Sequence, residues 1–337
     1  MTLDQLRSRL ATYLSRPGSG NLGASPGPLQ GVSGGWASSL YTFDLRRGEH
    51  SATPAVRLVL KTYAPDDDGR VHAAREWRAL EQLRTVDYPV PRGVLLEFDT
   101  AHLGRPFVVM EHVAGVTLWQ AHEAADPSTQ AQLVSAFATQ LAALHALDPR
   151  LLEPTATDQG AYDHIDRELT QLHHDSDSLP RAGLSDVLRW LHDRRHLVPC
   201  RRSVVLHRDY HPWNVLVDGS GRPTVLDWDW RIGDPRFDLA WTSTLMQRSG
   251  FDAFARAVRG EYAVTAAMGD PLEGFAYFEV LTTVRWLLNV LPSIGPTSRL
   301  NAATRAEFSA FLVRPVREAR ELLRARAEID VEVQVQT

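Results

Sequence analysis

Leucines at positions 3, 6, 10 and 14 recur at the three-to-four-residue interval of one helix face, so the pattern predicts a short amphipathic helix over residues 3–14. The stretch "SRPGSGNLGASPGPLQG" (15–31) then breaks any period with Gly, Pro and Ser and reads as a loop or linker. Strand-like runs follow at 39–45 (SLYTFDL), 55–63 (AVRLVLKTY) and 105–113 (RPFVVMEHV), with a helix at 71–83 between the last two. From about Thr117 helical spacing takes over. "STQAQLVSAFATQLAALHAL" (128–147) is an amphipathic helix stopped by Asp148 and Pro149, and further helices are predicted over 162–173, 184–196, 251–268, 274–290 and 302–326. The final "EIDVEVQVQT" alternates like a frayed strand, and no internal repeat is visible. A strand-rich first third before a helical remainder predicts an α+β fold of two lobes joined near residues 111–115. The expected segments are a helix and linker (1–28), a sheet lobe (29–112), a helical lobe (113–326) and a polar tail (327–337).

Composition narrows the class. With 337 residues, 44% of them hydrophobic, the chain can bury a sizeable core, enough for about two domains. A net charge of −5, from 36 Lys and Arg against 41 Asp and Glu, leaves no basic excess for a nucleic-acid partner and is compatible with a cationic small ligand. The single Cys200 precludes an internal disulfide and suits a reducing compartment. No run reaches the roughly eighteen apolar residues of a membrane span. The start "MTLDQLRSRL" has no apolar signal core, so a cytoplasmic protein without a membrane partner is expected.

The densest chemistry lies in "LHRDYHPWNVLVDGSGRPTVLDWDW" (206–230). Turn capping is the plain account of any one of Asp209, Asn214 or Asp227. Together they spell His-Arg-Asp-x-x-x-x-Asn followed by a hairpin that ends in Asp, which is the catalytic-loop pattern of kinases. A two-residue turn at Ser220 and Gly221 would set Val217 opposite Thr224 and Asn214 opposite Asp227. An amide oxygen and a carboxylate at the hairpin mouth, with places left for water and phosphate, suit Mg2+. Asp209 would lie beside them as a base. Alternatively His207, Asp209 and His211, at alternate positions of an extended segment, could hold zinc.

On these residues the chain resembles the aminoglycoside phosphotransferase family, small-molecule kinases with a protein-kinase-like fold. The resemblance runs from about Leu29 to Trp241 and is most specific in "LHRDYHPWNVLVD", "TVLDWDW" and "GDPRFDLAW". It implies transfer of the γ-phosphate of ATP or GTP to a hydroxyl of a small molecule. By that likeness Asp209 is the catalytic base, Asn214 and Asp227 are the Mg2+ ligands, and His207 and Asp238 support the loop. Arg208 departs from the pattern, since the family more often has Gly there. A protein kinase fits poorly, because Asp227, Trp228 and Asp229 replace Asp-Phe-Gly and "GDPRFDLAW" follows too soon for an activation loop.

The other parts fall in the order such a fold requires. Lys61 lies on the strand face opposite Leu58 and Leu60 and is the candidate cation for the phosphates. Glu76 is its expected partner, since it shares a helix face with Leu80 and Leu83, whereas Glu81 lies off that face. Gly34, Gly35 and Ser38 precede the Lys61 strand and could offer amides and a hydroxyl to phosphate oxygens. Backbone groups near Glu111 and Val113 would meet the purine, with Met110 against the pocket. For the acceptor, Asp163, Asp166, Asp175, Asp177, Asp270, Glu273 and Glu279 suit a polyamine such as an aminoglycoside, hence a role in antibiotic resistance. Tyr277, Phe278 and Trp286 would suit a macrolide, and a sugar or choline-like amine stays open. The competing class is a catalytically silent binding module on the same fold. Retention of Lys61, Asp209, Asn214 and Asp227 together argues against it.

Overall fold

In the computed structural model, which describes residues 1–16, 24–32, 38–47, 55–156, 160–177, 183–266, 272–295, 298 and 302–333, helices and strands follow the apolar periods closely. The chain begins α1 (Leu3–Leu14), β1 (Ala24–Pro26), β2 (Gln30–Val32), β3 (Ser39–Arg47), β4 (Val56–Thr62), α2 (Asp67–Arg84), β5 (Gly93–Glu97), α3 (Thr100–Leu103), β6 (Phe107–Glu111), β7 (Val116–Thr117). It continues α4 (Leu118–Ala124), α5 (Pro127–Ala146), α6 (Asp163–Asp177), α7 (Leu184–Arg194), β8 (Val204–Leu206), β9 (Val215–Val217), β10 (Pro223–Val225) and β11 (Arg231–Gly233). Four helices close it: α8 (Arg236–Arg248), α9 (Asp252–Thr265), α10 (Phe275–Ile294) and α11 (Ala302–Ala327).

The chain divides into two compact units, Met1–Leu118 with Asn214–Trp230, and Trp119–Trp213 with Arg231–Thr337. The division is not linear, because the β9–β10 hairpin returns to the first unit and pairs with β7 there. The first unit is a six-stranded antiparallel sheet in the order β1-β3-β4-β6-β5, with β2 on β3. Its α1 is part of the core rather than an appendage: Leu6, Leu10 and Leu14 pack with Phe43, Leu58, Leu60 and Phe107. Helix α2 starts where the Asp66 carboxylate accepts the Gly69 N–H, with Asp67 and Asp68 in the first turn and Arg84 in the last, charges that complement the helix dipole.

The hairpin corrects the expected register by one residue. Thr224 pairs with Leu216, Val225 with Val215, and the Leu226 N–H donates to the Asn214 carbonyl, so Asp227 lies one place beyond the residue facing Asn214. The cause is the loop. Gly221 takes φ +80 and closes a three-residue connection between Asp218 and Arg222, while the Asp218 carboxylate accepts N–H bonds from Ser220 and Arg222.

The second unit is helical, with the β8–β11 pair beneath the loop that carries Asp209. Helix α5 is capped by Asp126 on the Ser128 and Thr129 N–H groups and opens on Pro127. Helix α8, which its sequence period does not announce, is buried on nearly all sides, so it has no polar stripe to reveal it. The tail forms no strand over its described residues. Val331 and Val333 are buried, and Asp330 pairs with Arg320 and Arg324.

Candidate active site

The candidate residues form two sets, one on each unit. In the first unit, strand β4 delivers Lys61 opposite Leu40 and Val108, and the side chain is 5% exposed. Its ammonium lies 2.5 Å from Glu76 Oε2 of α2 and 2.6 Å from Asp227 Oδ1. The Tyr63 hydroxyl donates to the same Glu76 oxygen. Burial would lower the Lys61 pKa, but Asp227 and Glu76 outweigh it and the pKa is raised, so the ammonium stays charged. One cation shared by two carboxylates leaves an excess negative charge, and its cost falls on the buried partner. Burial, abetted by Asp227, pushes the Glu76 carboxyl up against the pull of Lys61. Asp227 itself is 48% exposed on one side of the cluster. Its φ of +63 is a strained value for a non-glycine residue, costing about 1–2 kcal/mol. Two clips on α2 hold the segment there: Arg75 donates to Asp229 at 3.1 Å, and the Trp230 indole donates to the Arg75 carbonyl at 2.9 Å.

The second set surrounds Asp209, which is 41% exposed. The Trp241 indole N–H donates to Asp209 Oδ1 at 2.8 Å, and His211 Nε2 stands 3.3 Å from the same oxygen. Partial burial pushes this carboxyl up, but His211, His207 and the Trp241 N–H prevail and bring it down to about 2. Buried Asp238 accepts the backbone N–H groups of His207 and Arg208, at 2.7 and 2.8 Å. His145 in turn lies 3.3 Å from Asp238 and 2.7 Å from the Tyr262 hydroxyl, so this histidine is a packed strut. His207 Nδ1 accepts the Asp209 N–H. Arg208, at φ +75, folds its buried side chain onto Glu168 of α6, which also accepts from Arg285 at 2.8 Å. Burial would raise the Glu168 pKa, yet the two guanidinium groups hold it well below the carboxylate range.

The remaining expectations fare unevenly. Gly34 and Gly35 lie outside the described residues, and Ser38 is half-buried in the bend before β3. The Glu111 N–H donates to the Arg92 carbonyl, and its carboxylate accepts the Arg92 N–H. Val113, beyond the strand, makes no backbone hydrogen bond among the described residues. The zinc alternative has no support: among the described residues no three His, Cys, Asp or Glu side chains are grouped to hold a metal. Several acids expected to face a polyamine pair with arginines of this chain. Asp166 pairs with Arg195, Glu273 with Arg201, and buried Glu279 with Arg326. Asp270 lies outside the described residues. Two functional neighbours escape the sequence pattern: Trp241 as a partner of Asp209, although it ends the "DLAW" motif, and Glu168, whose inward place on α6 was the available signal.

Residues 28–275 match the profile of the phosphotransferase enzyme family, APH. Among curated proteins the chain is 26% identical over 179 residues to acyl-CoA dehydrogenase family member 10 of Mus musculus. That match takes in 50% of this chain, which spans 16% of the mouse protein. Among solved structures, the GDP complex of aminoglycoside 2'-phosphotransferase-IIIa superposes with a TM-score of 0.64 at 14% identity, over 94% of this chain and 99% of the other. Macrolide 2'-phosphotransferase type I gives 0.61 at 18% identity, over 93% and 97%. A choline/ethanolamine kinase family protein from Mesorhizobium loti gives 0.57 at 18%, over 95% and 100%. These likenesses make the fold the α+β, two-lobed, protein-kinase-like one expected from the sequence. With the family profile covering most of its length, the chain belongs to the phosphotransferase enzyme family, APH.

Proposed function

We propose that the protein transfers the γ-phosphate of ATP or GTP to a hydroxyl of a small molecule. The observation that carries this reading is the Lys61 ammonium, buried and held between Glu76 and Asp227. A lysine kept charged at such desolvation cost suits a polyanion. The donor set fits Mg2+. Asp227 commits Oδ1 to Lys61 and keeps Oδ2 without a partner among the described residues, and the Asn214 amide is of the same hard-oxygen class. When bound, Mg2+ would neutralise phosphate oxygens as charge shifts to the leaving group. Lys61 would balance the phosphates, and the Val113 N–H is the donor left for the purine.

Asp209 then acts on the acceptor hydroxyl. At a pKa of about 2 it is a weak base, so it orients the hydroxyl as an ionised acceptor and takes the proton late, as the new P–O bond forms. Such catalysis is chiefly positioning and electrostatics. The fold relatives act on aminoglycosides, a macrolide and choline-type amines by their names, and an aminoglycoside-like acceptor is the first class to try. The test is transfer from labelled ATP, then GTP, with Mg2+, to a panel of aminoglycosides, macrolides and small hydroxylated amines. Asp209→Asn serves as the blank. Transfer lost in that variant supports the reading; absence of Mg-nucleotide binding overturns it in favour of a silent module.

A further inference from the structure

Arg248, the last residue of α8, is 1% exposed, and none of its three guanidinium nitrogens has a hydrogen-bond partner among the described residues. Its only described polar-type contact is with the Trp286 ring of α10, 4.3 Å below the guanidinium carbon. A cation–π contact of this kind offsets only part of what a buried, unpaired charge costs. No carboxylate among the described residues is close enough to act on it: burial alone lowers its pKa, to about 9, so it remains a cation at neutral pH. On α10 the Thr283 hydroxyl, one turn from Trp286, is likewise buried without a partner among the described residues. A charged group left without a partner between two packed helices is not how a finished core is built.

The position of Arg248 gives this a meaning. Trp241, Leu245 and Arg248 stand at i, i+4 and i+7, on one face of α8. Trp241 holds Asp209, and Arg248 lies about 10 Å further along the axis, seven residues on. From this we infer that Arg248 is an acceptor-binding residue, pairing with a carboxylate or phosphate that the substrate carries about 10 Å from the hydroxyl presented to Asp209. A planar guanidinium fork matches either oxyanion in two parallel hydrogen bonds. A hydroxylated acid thus joins the polyamine among the acceptor classes to be tried. This inference rests on the proposed phosphotransfer for the role of the site, but not for the binding itself.

Binding is therefore tested first, with the whole chain and with benzoate and inorganic phosphate as probes. Either probe at saturation is expected to raise the melting temperature by about 2–4 °C. The rise should vanish in Arg248→Met and persist in part in Arg248→Lys. Arg248→Met should melt at least as high as the parent without a probe, since it removes a buried unpaired charge. Benzoate alone acting marks a carboxylate, phosphate alone a phosphate ester. No saturable rise in the parent, or an equal rise in Arg248→Met, overturns the inference. The second readout compares hydroxy acids with their methyl esters as acceptors. Arg248→Met should raise KM for the acid at least tenfold and leave the ester and ATP unchanged. If the probes bind but Mg-nucleotide does not, the anion site stands and the phosphotransferase reading fails. Mg-nucleotide turnover without probe binding does the opposite: it removes the anion site and leaves phosphotransfer standing.

Discussion

Asp209 and Asp227 are nearly equally exposed, at 41% and 48%, yet their surroundings differ. Asp227 faces a buried ammonium 2.6 Å away on a strained backbone, and its segment is clipped to α2. Asp209 is held instead by an indole N–H and two imidazoles, and the loop beneath is fixed by buried Asp238. A carboxylate beside a fixed positive charge is arranged to share a cation and phosphates. One held by an indole N–H and imidazoles is suited to the proposed acceptance from a hydroxyl. Exposure alone would have made the two interchangeable.

The sharpest break in this comparison is Asp209→Ala. It should lower kcat by about 10³–10⁴-fold while leaving Mg-nucleotide affinity unchanged by calorimetry. Next comes the support of the Asp209 loop. Glu168→Gln strips the counter-charge from buried Arg208 and half-buried Arg285 and should cost about 3–5 kcal/mol in urea unfolding. Asp227→Ala should weaken Mg-nucleotide binding about ten- to hundredfold, the loss of one charge-assisted contact. Unchanged affinity would make the two aspartates alike after all.

The smallest effect belongs to Trp241→Phe. Without the indole donor the Asp209 pKa should climb from about 2 towards its ordinary 3.8, followed by carboxylate NMR, with kcat at neutral pH within about threefold of the parent. The sign for stability follows. Folding lowers this pKa, so the Asp209 contribution is whole above the unfolded value and is lost as pH falls through about 2. In Trp241→Phe that window shrinks.

Periodicity made most of the helices legible, because α5 or α11 over five turns or more leaves an unmistakable stripe. Strands of two or three residues, such as β7, β8 and β11, carry too few alternations to declare themselves. Glu76 was legible as a charge on an apolar helix face, and Lys61 as a cation on the strand face opposite Leu58 and Leu60. The hairpin was legible but its register was not, for the choice between a two- and a three-residue loop hung on the φ of Gly221. The isolation of Arg248 was invisible, because a missing partner is a fact of three dimensions.

Arg208 carries one more consequence. An arginine can receive an activating phosphate, yet Arg208, beside Asp209, is already paired with Glu168 in the interior of the helical unit. A covalent phosphate arriving nearby would find this cation already taken. A switch by phosphorylation that works through this arginine would first have to break a buried ion pair.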